Sequence, residues 1–179
     1  MKRIIALGAS NSKNSINKKF AYWAASKIDD VEVELIDLNN YEMPLYSSDL
    51  EKENGIPEVV IKLKNKLDSA DGFVISFAEH NGNYTAAFKN LQDWLSRIEI
   101  KIWGGKPTLL LAAAPGKMGG KSVLNIAKAS FPYMGANVVA DFSLGEFYKN
   151  FNDQEGIIDT ELLAEFKISI EIFAKNLKN

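Results

Sequence analysis

Three short stretches of the chain hold most of the residues whose types and spacing could do chemistry. The first is Gly8-Ala9-Ser10-Asn11-Ser12-Lys13-Asn14-Ser15-Ile16-Asn17. It follows an apolar run and leads into apolar residues at helical spacing, so it ends at a helix N-terminus, where unpaired N–H groups and the positive dipole end can receive a phosphate. Ser10, Ser12, Ser15 and Asn17 add hydroxyl and amide donors around Ile16, and Lys13 adds a charge. The same residues also suit plain helix capping, with Ser15 as the N-cap. The strings GxxxxGK[ST] and GxGxxG are both missing, so a nucleoside-triphosphate loop and a dinucleotide fingerprint are excluded. A short polar loop of this kind suits a monophosphate.

The second stretch is Ala78-Glu79-His80-Asn81-Gly82-Asn83-Tyr84-Thr85, with the chain's one histidine, followed by a helix that carries Asp93 and Trp94. The third, Ala114-Pro115-Gly116-Lys117-Met118-Gly119-Gly120-Lys121, is rich in glycine and lets the backbone approach a flat ligand. It also reads as an ordinary strand-to-helix turn.

Five strand-then-helix units must position these loops. Strands are expected at Arg3–Gly8, Val31–Leu38, Gly72–Ala78, Lys106–Ala114 and Ala136–Phe142. Helices are expected after Ile16, over Gly55–Ala70, Tyr84–Arg97 and Gly120–Met134, and over Asp159–Leu177. The alternation implies a parallel sheet covered by helices on both faces. The first, third and fourth strands are continuous apolar runs, as buried strands are, whereas the second alternates and the fifth carries Asn137 and Asp141, as edges do. That texture matches a flavodoxin-like three-layer α/β sandwich with five parallel strands in the order 2-1-3-4-5, in which ligands bind beyond the carboxyl ends of the strands. The stretches Asn39–Asn54 and Ser143–Gly156 read as loops that rim a pocket.

Composition narrows the function classes. The 179 residues suit one domain, 1–179, with a net charge of −2 that gives no case for nucleic-acid binding. The absence of cysteine excludes disulfides and thiolate chemistry. No run approaches a membrane-spanning length, and the first apolar run is too short for a signal sequence, so a cytoplasmic protein is expected. No metal site is expected either.

The first two stretches resemble the NAD(P)H-dependent FMN reductase family, which carries G-S-x-R-x-x-S-x-N after strand 1 and P-x-Y-N-x-x-x-P-x-x-L-K-N-x-x-D-W-L-S after strand 3. Ser10, Ser15 and Asn17 match the first motif; Asn81, Lys89, Asn90, Asp93, Trp94, Leu95 and Ser96 match the second. The family's arginine falls on Ser12, its glycine on Ala9, its first proline on Ala78, its tyrosine on His80, its second proline on Thr85 or Ala86, and its leucine on Phe88. The resemblance implies FMN as the bound cofactor, NAD(P)H as a transient co-substrate and a flavin, quinone, azo compound or metal oxyanion as small-molecule acceptor. It places the phosphate among Ser10, Ser12, Lys13, Ser15, Ile16 and Asn17, and the ring against Ala78, Glu79, His80, Asn81 and Gly82 and near Pro115, Gly116 and Lys117. No side chain then acts as a nucleophile or essential acid, because the flavin carries the chemistry. It also implies a homodimer or homotetramer partly joined through the Tyr84–Arg97 helix. A flavodoxin-type electron carrier and a non-catalytic module on the same fold are the alternatives, and the carrier's T-x-T-G-x-T loop is missing here.

Overall fold

The computed structural model describes residues 1–178. Strands β1 (Lys2–Ala9), β2 (Val31–Ile36), β3 (Gly72–Phe77), β4 (Pro107–Ala113) and β5 (Asn137–Leu144) form one sheet in the order β2-β1-β3-β4-β5. Every neighbouring pair is parallel, as expected. Alternation along the strands sorts the apolar side chains to two faces. Ile5, Leu7, Phe73, Ile75 and Leu110 meet α3 (Glu58–Asp68), α4 (Ala86–Ile98) and α5 (Lys121–Ser130) on one side. Ile4, Ala6, Val74, Leu109 and Leu111 meet α1 (Ile16–Ala25) and α7 (Thr160–Lys178) on the other. All six residues of β3 are buried, which accounts for a sequence that is apolar except at Ser76.

Several boundaries differ from expectation, each for a local reason. β2 stops at Ile36 because the Asp37 carboxylate accepts from the Asn39 N–H at 3.0 Å and caps a short 3-10 turn. The third helix starts at Glu58 rather than Gly55; Pro57 stands at its N-cap and restricts the backbone before it. The stretch read as the loop Asn39–Asn54 contains α2 (Ser48–Asn54), capped by the Ser47 hydroxyl and carrying Asp49 and Glu51 in its first turn. None of its residues is buried, so no apolar period announced it. The stretch Ser143–Gly156 holds the end of β5, then α6 (Phe147–Asn150) and the hairpin β6 (Phe151–Asn152) with β7 (Gly156–Ile157). Phe147 and Phe151 stack at 4.7 Å and bury themselves among Phe20, Trp23 and Phe166, which makes this segment a rigid corner.

The α4 face needs a correction. Phe88, Leu91, Trp94 and Leu95, on the helix expected to be partly covered by a second subunit, are all buried within the protomer. Trp94 is 0 % exposed, donates from Nε1 to the Pro44 carbonyl at 2.8 Å and meets the Tyr46 ring edge-on at 5.1 Å. It fastens the β2–α2 connection to the core. Trp94→Ala is expected to lower the unfolding free energy in urea by about 3–5 kcal/mol, the usual range for deleting a buried large aromatic; a loss under about 1 kcal/mol would remove Trp94 from the core.

Candidate functional site

The first loop leaves β1 at a place where only glycine fits. A Cβ on Gly8 would stand 2.5 Å from the Lys18 Cα and backbone nitrogen, so α1 crosses the strand end backbone to backbone. The Ser10 N–H donates to the Gly8 carbonyl at 2.8 Å, and its hydroxyl oxygen accepts from the Ser12 N–H at 3.1 Å. Ser15 caps α1, its hydroxyl oxygen accepting from the Lys18 N–H at 3.1 Å. Ser10 and Ser15 are both buried, and each uses its oxygen as an acceptor, which leaves the hydroxyl proton free to donate. The N–H groups of Ile16 and Asn17 have no acceptor among the described residues, and the first turn of α1 holds no acidic side chain.

Asn17 has a second occupation that the sequence did not reveal. Its amide nitrogen donates to the Ala113 carbonyl at 3.0 Å. Its amide oxygen accepts from the Ala113 N–H at 2.9 Å and from the Ser76 hydroxyl at 2.7 Å. One carboxamide, 2 % exposed, therefore ties α1 to the ends of β3 and β4.

The loop after β3 is a tight hairpin. His80 and Asn83 exchange backbone hydrogen bonds at 2.9 and 3.1 Å, with Asn81 at φ 52° and Gly82 at φ 73° between them. Positive φ at both central residues is the turn that Asn-Gly favours. Anchors hold it on two sides. The Glu79 carboxylate accepts from the Val123 N–H at 2.9 Å, in the first turn of α5. The Thr85 hydroxyl donates to the Ala9 carbonyl at 3.0 Å and caps α4, at one of the two positions where the family carries its second proline. The loop after β4 is knitted to the start of α6. The Phe147 N–H donates to the Ala114 carbonyl at 3.1 Å and the Glu146 N–H to the Gly116 carbonyl at 3.0 Å.

The three loops meet in one open cleft of about 220 Å³ at the carboxyl ends of β1, β3 and β4. Of the expected residues, Ser10, Ser12, Ser15, Ile16, Asn17, Ala78, Glu79, His80 and Pro115 line it. Lys13, Asn81, Gly82, Gly116 and Lys117 are not in the lining; Lys117 borders a separate depression of about 590 Å³ with Lys121 and Glu165. Another depression, about 480 Å³, lies between α4 and the β2–α2 connection. Both are larger, but neither faces the N-terminus of α1. Tyr148, from α6, completes the lining and was missed; the one signal was an aromatic in a stretch read as a pocket rim. The lining contains no lysine or arginine. Among the described residues there is no cluster suited to a metal ion, and no helix is long and apolar enough to cross a membrane.

Residues 2–149 match the NADPH-dependent FMN reductase family. The chain belongs to that family of oxidoreductases. An uncharacterized protein of Mycoplasma pneumoniae is 34% identical over 161 residues, covering 86% of this chain and 93% of the relative. The quinone reductase of Escherichia coli K12 is 34% identical over 119 residues, 66% of this chain and 63% of the relative, so the match spans less than two thirds of that enzyme. Among solved structures, a flavoenzyme NAD(P)H:(acceptor) oxidoreductase of Paracoccus denitrificans shares the fold. Its TM-score is 0.79 at 20% identity, over 99% of this chain and 98% of that one.

The Asn17 bonds make a prediction about this family member's stability. Asn17→Ala leaves the Ala113 N–H and carbonyl and the Ser76 hydroxyl unpaired in a buried site, and should cost about 2–4 kcal/mol in chemical denaturation. Ser76→Ala removes one bond and should cost about 1 kcal/mol. Equal losses in the two variants would contradict the clamp.

Proposed function

We propose that the chain binds FMN in the three-loop cleft and transfers reducing equivalents from NAD(P)H to a small oxidised acceptor of the quinone class, in the cytoplasm. The observation that carries this reading is the convergence of the loops after β1, β3 and β4 on one cleft faced by the N-terminus of α1. The donor set fits a phosphate monoester: the Ser10 and Ser15 hydroxyl protons and the Ile16 and Asn17 N–H groups are uncommitted, and no carboxylate stands in the first turn of α1. The helix dipole adds its positive end.

The chemistry FMN supplies when bound is hydride acceptance from a nicotinamide and electron delivery to the next substrate. The protein's part is to hold and orient. Ser10 and Ser15 grip the phosphate. The backbone of Ala78 and Glu79, which lines the cleft, would face the polar edge of the ring, and the Glu79 and Thr85 anchors fix that loop before any ligand arrives. His80 is exposed on the turn and has no carboxylate among its hydrogen-bond partners, so nothing in its surroundings marks it as a proton donor. The acceptor class is drawn from the Escherichia coli relative, and self-association rests on the family resemblance alone, because the apolar face of α4 is spent inside the protomer.

Replacing Ser10 and Ser15 together with alanine should weaken FMN by about 2–3 kcal/mol, at about 1 kcal/mol or more per lost bond to the phosphate. Flavin fluorescence titration reads the dissociation constant, and a thermal melt corrects for the lost helix cap. An unchanged constant in a folded double variant would reject this placement.

A further inference from the structure

Where it lines the cleft, the first loop offers a phosphate only neutral hydrogen-bond donors. The whole lining offers hydroxyls, amides, backbone N–H groups, the Glu79 carboxylate and the His80 imidazole, but no lysine or arginine. The two lysines nearest in sequence are directed elsewhere. Lys18 donates from Nζ to the Asp37 carboxylate at 2.5 Å and to the Lys13 carbonyl at 3.2 Å, and Lys13 is exposed outside the lining. A phosphate held by neutral groups depends on how many donors reach it, since each is worth a modest amount singly.

Tyr148 reaches the same cleft from the far edge of the sheet and shares its lining with Ser12, Ser15 and Ile16 at the head of α1 and with Ala114 and Pro115 of the third loop. It stands 74 % exposed, and its only ring neighbour among the described residues is Phe147, edge-on at 5.8 Å. Its hydroxyl makes no hydrogen bond with the described residues, unlike Tyr46 on Glu51 and Tyr84 on Ser130. So the side chain adds little to the fold. The backbone beneath it is nonetheless held firmly. Phe147 and Phe151 are buried on either side, and the Asn150 amide donates to the Gly145 carbonyl at 3.0 Å. Only two side-chain torsions need be fixed when Tyr148 engages a ligand, a small entropic cost for a large polar-tipped ring.

We propose that Tyr148 is a ligand-binding residue whose phenol donates to the phosphate end of the bound cofactor. The proposal rests on the FMN reading of the cleft. A phenol is a stronger hydrogen-bond acid than a serine hydroxyl, and a bond to a phosphate is charge-assisted. Tyr148 thus adds a donor to a cleft that no lysine or arginine lines.

The test compares wild type, Tyr148→Phe and Tyr148→Ala in flavin fluorescence titrations of the flavin-free protein with FMN and with riboflavin, which lacks the phosphate. Tyr148→Phe should raise the FMN dissociation constant about tenfold, the effect of one charge-assisted bond, and leave riboflavin unchanged. Its melting temperature should match wild type, as befits an exposed side chain. Wild-type FMN affinity in Tyr148→Phe would overturn the proposal, as would equal weakening of FMN and riboflavin. Loss in Tyr148→Ala without loss in Tyr148→Phe would assign the contact to the ring rather than the hydroxyl, and would overturn it too. Wild type that takes up no FMN would instead refute the reading of the cleft on which the proposal stands.

Discussion

A single buried carboxamide decides how the ends of three elements meet. Asn17, on the first turn of α1, bonds both backbone groups of Ala113 at the end of β4 and the hydroxyl of Ser76 within β3. It acts as a short extra strand partner for β4, made from a side chain. Because Gly8 lets α1 lie directly on the end of β1, the same helix start is pinned against β1, β3 and β4 together. These are the strands whose loops form the cleft. The uncommitted N–H groups at the head of α1 therefore face a fixed place, and Ser10 and Ser15 are held beside them by their own bonds to Ser12 and Lys18. Positioning here comes from polar bonds in a dry environment, where leaving one partner unpaired is costly.

Charge is handled by keeping it outside. Asp37 is pushed up by burial, but the hydrogen bonds from Lys18 and Asn39 outweigh that and hold its carboxyl below the ordinary aspartate value. That pairing draws the Lys18 ammonium towards the end of β2. Glu79 spends its carboxylate on the α5 backbone. What faces the cleft at the head of α1 is a set of hydroxyl and backbone dipoles, fixed in direction by the fold. Such a set suits a cofactor that must stay bound while its charge and redox state change, because preorganised dipoles need little rearrangement.

The sheet order was legible because burial leaves a plain mark on sequence: β1, β3 and β4 carry long apolar runs, with Lys2, Arg3 and Thr108 only at strand starts and Ser76 the one polar residue inside, whereas β2 alternates and β5 carries Asn137, Asp141 and Ser143. That the three loops converge was legible because a parallel sheet in this order brings the carboxyl ends of β1, β3 and β4 together; which third-loop residues line the cleft was not, since Pro115 does and Gly116 and Lys117 do not. The role of Asn17 was not, since a motif records a residue type and not its partners, and Ser76 and Ala113 look like ordinary strand residues. Tyr148 was hidden for a similar reason, as it enters from a corner built by Phe147 and Phe151 whose packing on Phe20 has no sequence period. Trp94 misled because tryptophan is frequent both at interfaces and in cores, and only its burial under the Pro44 carbonyl and the Tyr46 ring separates the two.

The central claim is that the cleft makes this chain a flavin-dependent reductase. Anaerobic absorption spectroscopy of the purified protein, supplemented with FMN and then titrated with NADPH or NADH, tests it most directly. The expected result is uptake of one FMN per chain and bleaching of the flavin band by one equivalent of at least one nicotinamide, with colour restored by a quinone. A chain that takes up no FMN, or whose bound FMN neither nicotinamide bleaches, would contradict it.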